Sequence, residues 1–167
     1  MIKSMRVFLL SSLVLTSFLF YKCSKKDTDE PKETAVNIYM VALEGSTLQG
    51  KIIGCNDILV PIPKNVLIEN NEVETAMTEL FAAKNTDELK NFIKGPGLFL
   101  YQVTISNGIA EIYLKGDFHI SSVCDIPRIQ GQLYETAKQF SDVKEVKIFI
   151  NAQSLESYLS LSKQGFN

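Results

Sequence analysis

Three cysteines, one histidine and a few aspartates are the residues of this chain whose types could carry chemistry. His119 precedes Cys124, with Asp117 and Asp125 beside them. A cysteine deprotonated by a neighbouring imidazole, itself steadied by a carboxylate, is the nucleophile of a hydrolase. That reading requires the three groups to meet and the sulfur to be unbonded. Asp117, Asp125 and Asp142 offer the hard oxygen donors that calcium takes, but they lack the alternating spacing of a calcium loop. Helix capping accounts for Asp125 and a turn accounts for Asp142. Gly95 and Gly97 do not make a phosphate cradle, because Pro96 removes an amide donor between them and a strand, not a helix, follows. Phe99, Tyr101 and Tyr113 have faces that could stack on a sugar or a base. Alternation along the chain reads them instead as packing beneath a helix or the first strand.

The cysteines are sorted by their surroundings. Lys3 and Arg6 precede Val7–Tyr21, which is apolar or hydroxylic throughout. A charged start followed by an apolar run is an export signal, and the positive end stays in the cytoplasm. No small-x-small cleavage site follows it. Cys23 sits where a lipoprotein cysteine would, yet Phe20-Tyr21-Lys22 before it is bulky and charged. Residues 1–22 are therefore read as a signal or membrane-anchor segment, with an uncleaved anchor favoured over lipidation of Cys23. Residues 23–34 carry charge and a proline and almost no apolar surface, the composition of a solvated tether. That leaves Cys55 and Cys124 in an exported and hence oxidising setting, where a disulfide between them is the economical reading.

The totals allow one ordinary domain: 167 residues with 46% hydrophobic content. A net charge of −2 and the lack of a basic stripe give no electrostatic reason to expect nucleic acid. The one basic cluster, Lys22, Lys25 and Lys26, flanks the apolar segment.

The elements that would position these side chains are legible as a series. Val36–Leu43 is apolar on both faces, as in a central or covered strand. Ile58–Ile62 is a second strand, which Pro61 and Pro63 limit to an edge or an irregular end. Asn71 caps a helix, with Glu74 as partner and Val73, Ala76, Met77, Leu80 and Phe81 as its inner stripe. A further short helical turn is predicted over 87–93. Asn107-Gly108 joins the strands Leu98–Ser106 and Ile109–Lys115 through a type I′ turn. Asp125 caps a second helix, whose stripe is Ile126, Ile129, Leu133, Ala137 and Phe140, with Gln130, Glu135, Lys138 and Gln139 facing water. Val146, Ile148 and Ile150 form the inward face of a last strand, and Leu155, Tyr158 and Leu159 close a short helix. The order ββαββαβ, with two one-sided helices, predicts an α+β two-layer sandwich in which both helices cover one face of a mixed sheet. The domain is placed at residues 35–163.

In order and spacing, these segments resemble the germane (GerMN, sporulation and spore-germination) domain. The carriers are NIYMVAL, GCNDILVPIP, GIAEIYLKGDF, CDIPRIQGQLYETAKQF and VKEVKIFIN, which together take in most of residues 36–160. The resemblance implies an extracytoplasmic domain of the kind found in bacterial lipoproteins and membrane-anchored proteins, with no established catalytic residues. It also implies a fold similar to the ring-building motif, whose members self-associate or bind like domains. A sporulation role is not implied by the domain type.

The expectation is therefore a non-enzymatic domain without cofactor, tethered outside the cytoplasmic membrane and acting in protein–protein association in the cell envelope. Asp57–Pro63 and the helix face Gln130–Gln139 are its candidate contact surfaces. A cell-wall glycan-binding module using exposed aromatics is the alternative, and a Cys124/His119 hydrolase comes third.

Overall fold

The computed structural model describes residues 33–164; residues 1–22, the tether up to residue 32 and Cys23 lie outside it. In chain order the elements are β1 (Glu33–Ala42), β2 (Lys51–Ile52), a 3-10 turn (Gly54–Asn56), β3 (Ile58–Leu67), α1 (Glu72–Ala82), β4 (Phe99–Ser106), β5 (Ile109–Lys115), α2 (Asp125–Lys138), β6 (Glu145–Ile150), β7 (Gln153–Ser154) and α3 (Leu155–Gln164). The α+β sandwich is present. Its strands fall into two sheets, not one: an antiparallel set in the order β1-β3-β2 and a mixed set in the order β4-β5-β6-β7.

Local signals explain most elements. Asn71 Oδ1 accepts the Glu74 N–H at 2.8 Å, and the two side chains bond each other, so α1 starts where its cap dictates. Asn107 and Gly108 both have positive φ (54° and 80°), which the two-residue hairpin between β4 and β5 requires. β5 and β6 run parallel, so the chain must cross over between them, and α2 is that crossover. The predicted turn over 87–93 is not helical. Lys90 instead exchanges both backbone hydrogen bonds with Val41 as an isolated bridge.

That bridge is part of the reason for two sheets. β1 pairs with β3 along one edge, from Glu33 opposite Leu67 to Ala42 opposite Ile58. Its start takes in Glu33 and Thr34, which composition had assigned to the tether. Along its other edge, side chains of α2 replace a partner strand. Gln139 accepts from the Asn37 N–H and donates to the Asn37 carbonyl, both at 2.7 Å. Thr136 Oγ1 accepts from the Tyr39 N–H and Gln132 donates to the Tyr39 carbonyl. Lys90 completes the row at Val41. With every outward backbone group on this stretch bonded, the ladder cannot continue into the second sheet. Gln139, read from sequence as facing water, thus belongs to the join.

β3 runs straight through Pro61 and Pro63 and is longer than the prolines suggested. It keeps its register because those residues lie opposite Tyr39 and Asn37, where the backbone faces away from β1 and no N–H is needed.

One continuous core binds both sheets to the helices, with Ile38 and Met40 of β1, Met77 and Leu80 of α1, Ile112 and Leu114 of β5, Ile129 and Leu133 of α2, and Leu155 and Leu159 of α3. Within it Gln132 is fully buried. Besides Tyr39 it accepts from the Phe92 N–H at 2.7 Å and donates to Asn91 Oδ1 at 3.3 Å. Gln132→Leu keeps the volume and orphans these groups. It should cost about 2–3 kcal/mol in urea unfolding; a loss below about 0.5 kcal/mol would show that water reaches the site.

Candidate functional site

The residues singled out by type gather at the N-terminus of α2. Cys55 and Cys124 are bonded as a disulfide with a Cα separation of 5.8 Å. Cys55 (φ 63°) and Asn56 (φ 58°) take the left-handed conformation there, turning the chain from β2 into β3. Next to the bridge, Arg128 lies between two carboxylates. Its Nε donates to Asp57 Oδ2 at 2.5 Å and its Nη1 donates to Asp125 Oδ1 at 3.0 Å. Asp57 and Asp125 are 1% and 2% exposed. The second oxygen of each is also used: Asp57 Oδ1 accepts the Glu44 N–H, and Asp125 Oδ2 accepts from the Ser121 N–H and Oγ and the Ser122 N–H. Asp125 therefore holds the turn that leads into α2 and does not cap the helix amides. Burial would raise its pKa; the Ser121, Arg128 and Ser122 hydrogen bonds outweigh this and hold it below the usual carboxylate value. Arg128, which burial alone would lower, is held above its usual value by the same two carboxylates. Its guanidinium also stands 4.7 Å from the Phe92 ring centre.

This cluster clamps the start of β3 to α2, and its carboxylates and guanidinium are taken up by one another and by neighbouring backbone groups. The Cys124 sulfur is bonded to Cys55, and His119 is exposed and tied to the fold through its backbone N–H, which donates to the Lys94 carbonyl. Asp117 receives the Tyr158 hydroxyl, Asp142 lies in the turn after α2, and Asp125 is taken up by Arg128. Among the described residues no three metal-ligating side chains come together. Gly95 presses on the backbone of Asp117, leaving no room for a Cβ, so the 95–97 break is a close chain approach.

The predicted contact surfaces are occupied in part. Ile58–Pro63 pairs with β1 along one edge, Asp57 is anchored to Arg128, and Gln132, Thr136 and Gln139 of α2 are spent on β1 and the 91–92 segment.

The aromatics lie where the alternation reading did not put them. Tyr101 is 56% exposed and Phe99 49%. Tyr101 is the extra residue of a bulge between Leu100 and Gln102, with the Lys115 amine 3.8 Å from its ring centre. Tyr113 shares its face of β5 with Glu111 and Lys115 and stacks on Phe149 of β6 at 5.2 Å. Among the described residues no helix covers this side of the second sheet; α2 and α3 pack on the other, against Ile148 and Ile150. Tyr101, Tyr113, Leu114, Lys115, Phe149, Asn151 and Ala152 enclose an open groove of about 440 Å³. At its rim Asn151 exchanges two hydrogen bonds with the Gly116 backbone. Burial and the Glu111 hydrogen bond act on the groove tyrosine Tyr113, the hydrogen bond first, to raise its pKa.

Arg128 and Phe149 carried no sequence flag. Arg128 stands three residues after Asp125, the helical spacing of an ion pair, and Gln132, Thr136 and Gln139 follow the i, i+4, i+7 rhythm of one helix face.

Among solved structures, the tandem GerMN domains of the sporulation protein GerM from Bacillus subtilis superpose with a TM-score of 0.53 at 16% identity, over 72% of this chain and 40% of that one. The fold is GerMN-like. The first GerMN domain of the same protein aligns over 74% of this chain and 86% of its own, with a TM-score of 0.49 and 16% identity. No protein-family model and no curated protein matches the chain. At this identity the likeness is one of fold, and the chain spans 40% of the tandem chain's length. Among the described residues no helix is long and apolar enough to cross a membrane.

Proposed function

We propose that this chain is an extracytoplasmic, membrane-tethered GerMN-like domain that acts without catalysis, in protein–protein association in the cell envelope. The apolar N-terminal segment supplies the tether and the disulfide suits an oxidising compartment. The observation that carries the association reading is the side of the second sheet that no described residue covers, where Tyr101, Tyr113 and Phe149 stand together around a groove. Aromatic side chains grouped on an exposed patch are the anchors protein interfaces favour.

The full chain in mild detergent should gain mass as its concentration rises from low micromolar to near millimolar in density-matched sedimentation. Tyr113→Ala with Phe149→Ala should weaken that gain at least several-fold while leaving the fold intact. A constant monomer mass across the range overturns association between copies. The same groove also has the aromatic walls that a cell-wall glycan would need. That second reading takes over if the wild type stays monomeric, sediments with purified cell wall, and loses this on Tyr113→Ala.

A further inference from the structure

The sheets differ in how their edges end, and among the described residues the edge of β4 is left unguarded. β1 is closed over Asn37–Val41 by α2 side chains and Lys90. The open part of β3 carries Pro61 and Pro63, and β2 is two residues long. β6 is covered at its end by β7, and its remaining edge bears Glu145 and Lys147, charges that discourage strand addition. β4 has none of these devices over Gln102–Ser106, the residues QVTIS, which contain no charge and no proline. Its register with β5 closes through Ser106 opposite Ile109, so Ser106, Thr104 and Gln102 spend their backbone groups on β5. Val103 and Ile105 point theirs outward, and among the described residues no other backbone group bonds to them.

The geometry points to a second copy of this chain as the occupant, its β4 laid antiparallel against this one about a two-fold axis at Thr104. The proposal rests on the association reading above and adds to its groove contact a second one, at the β4 edge. Centred there, Val103 faces Ile105 of the other copy and each pair exchanges two backbone hydrogen bonds. Thr104 lies opposite Thr104, and Gln102 opposite Ser106. Val103 and Ile105 both turn to the core side, so aliphatic meets aliphatic. The three uncharged polar residues meet on the other side, and no like charges are opposed. The paired stretch is also self-complementary in length. The bulge at Tyr101 ends it in one copy where the turn at Asn107 ends it in the other. The result is one two-fold sheet of eight strands, carrying the two aromatic grooves on a shared face.

The test is register-specific cross-linking of the full chain in mild detergent, in a Cys23→Ser background with the native disulfide intact. Opposed residues of a non-hydrogen-bonded antiparallel pair have Cα atoms about 4.5 Å apart, within disulfide reach. Thr104→Cys should shift from monomer to covalent dimer on mild oxidation. Ser106→Cys alone should not, but a mixture of Ser106→Cys and Gln102→Cys chains should. Independently, Thr104→Lys and Thr104→Glu should each lower the mass gain several-fold, and an equimolar mixture should restore it. If the wild type gains mass but Thr104→Lys gains it equally and Thr104→Cys cross-links no better than Ser106→Cys, the β4 contact is wrong and association stands. If the wild type never gains mass, both fall.

Discussion

Replacing Cys55 and Cys124 together by alanine is expected to lower the unfolding free energy by about 4 kcal/mol. The two residues are 69 apart in sequence, and the bridge forbids the unfolded chain all conformations in which the loop between them is open. At this domain size the loss corresponds to a fall in Tm on the order of 15 °C. The mechanism has a second signature. Because the stabilisation acts on the unfolded state, the unbridged chain should expand on unfolding and show a larger urea m-value. Reduction of the wild type by a dithiol should reproduce both changes. Cys55 is solvent-exposed, so the reductant can reach it without prior unfolding. A double alanine variant within about 1 kcal/mol of wild type would mean that the ion cluster alone holds β3 to α2. Labelling of either cysteine by an alkylating reagent in the unreduced protein would remove the bridge from the account altogether.

How much of this could be read from the chain follows the range of the interaction that decides each feature. Asn71 with Glu74, and Asn107 with Gly108, act over a few residues, and both turned out as composition indicated. The cysteine pair was legible by elimination, once Cys23 had been set aside with the N-terminal segment. The division into two sheets was not, because it depends on Gln139 and Thr136 reaching Asn37 and Tyr39 across 102 and 97 residues. A glutamine and a threonine on a helix look like surface residues until the strand edge they serve is known. Tyr113 gives the opposite lesson. Its neighbours on the same face, Glu111 and Lys115, already marked that face as solvent-facing. Weighting aromatic bulk above the two charges put it under a helix. In the same way, Pro61 and Pro63 were correct signs of an unpaired edge, but they did not shorten β3, because a proline interrupts only the ladder its nitrogen faces.

Arg128→Ala is expected to be nearly as damaging as loss of the disulfide, by about 3–5 kcal/mol, because it strands two buried carboxylates without a counter-charge. Most of that cost belongs to Asp57 and Asp125 left uncompensated, not to the pair's net worth. Arg128→Met, which restores packing against Phe92 but not the charge, should therefore recover little. Adding Asp57→Asn to Arg128→Met should recover much more, since it removes one of the stranded charges. The pH response separates this account from simple loss of packing. The folded Asp125 carboxyl titrates below its unfolded value, so its stabilisation is complete above the ordinary carboxylate range and is lost as pH falls through the folded value. Wild-type stability should accordingly fall on acidification below about pH 4. In Arg128→Ala the carboxylates lose their cation, the pKa of Asp125 moves up, and that acid-side fall should shrink or reverse. Urea unfolding of both proteins between neutral and acid pH measures this directly. Parallel pH curves for wild type and Arg128→Ala would show that the guanidinium acts at this site as apolar bulk against Phe92, and not as the charge that joins β3 to α2.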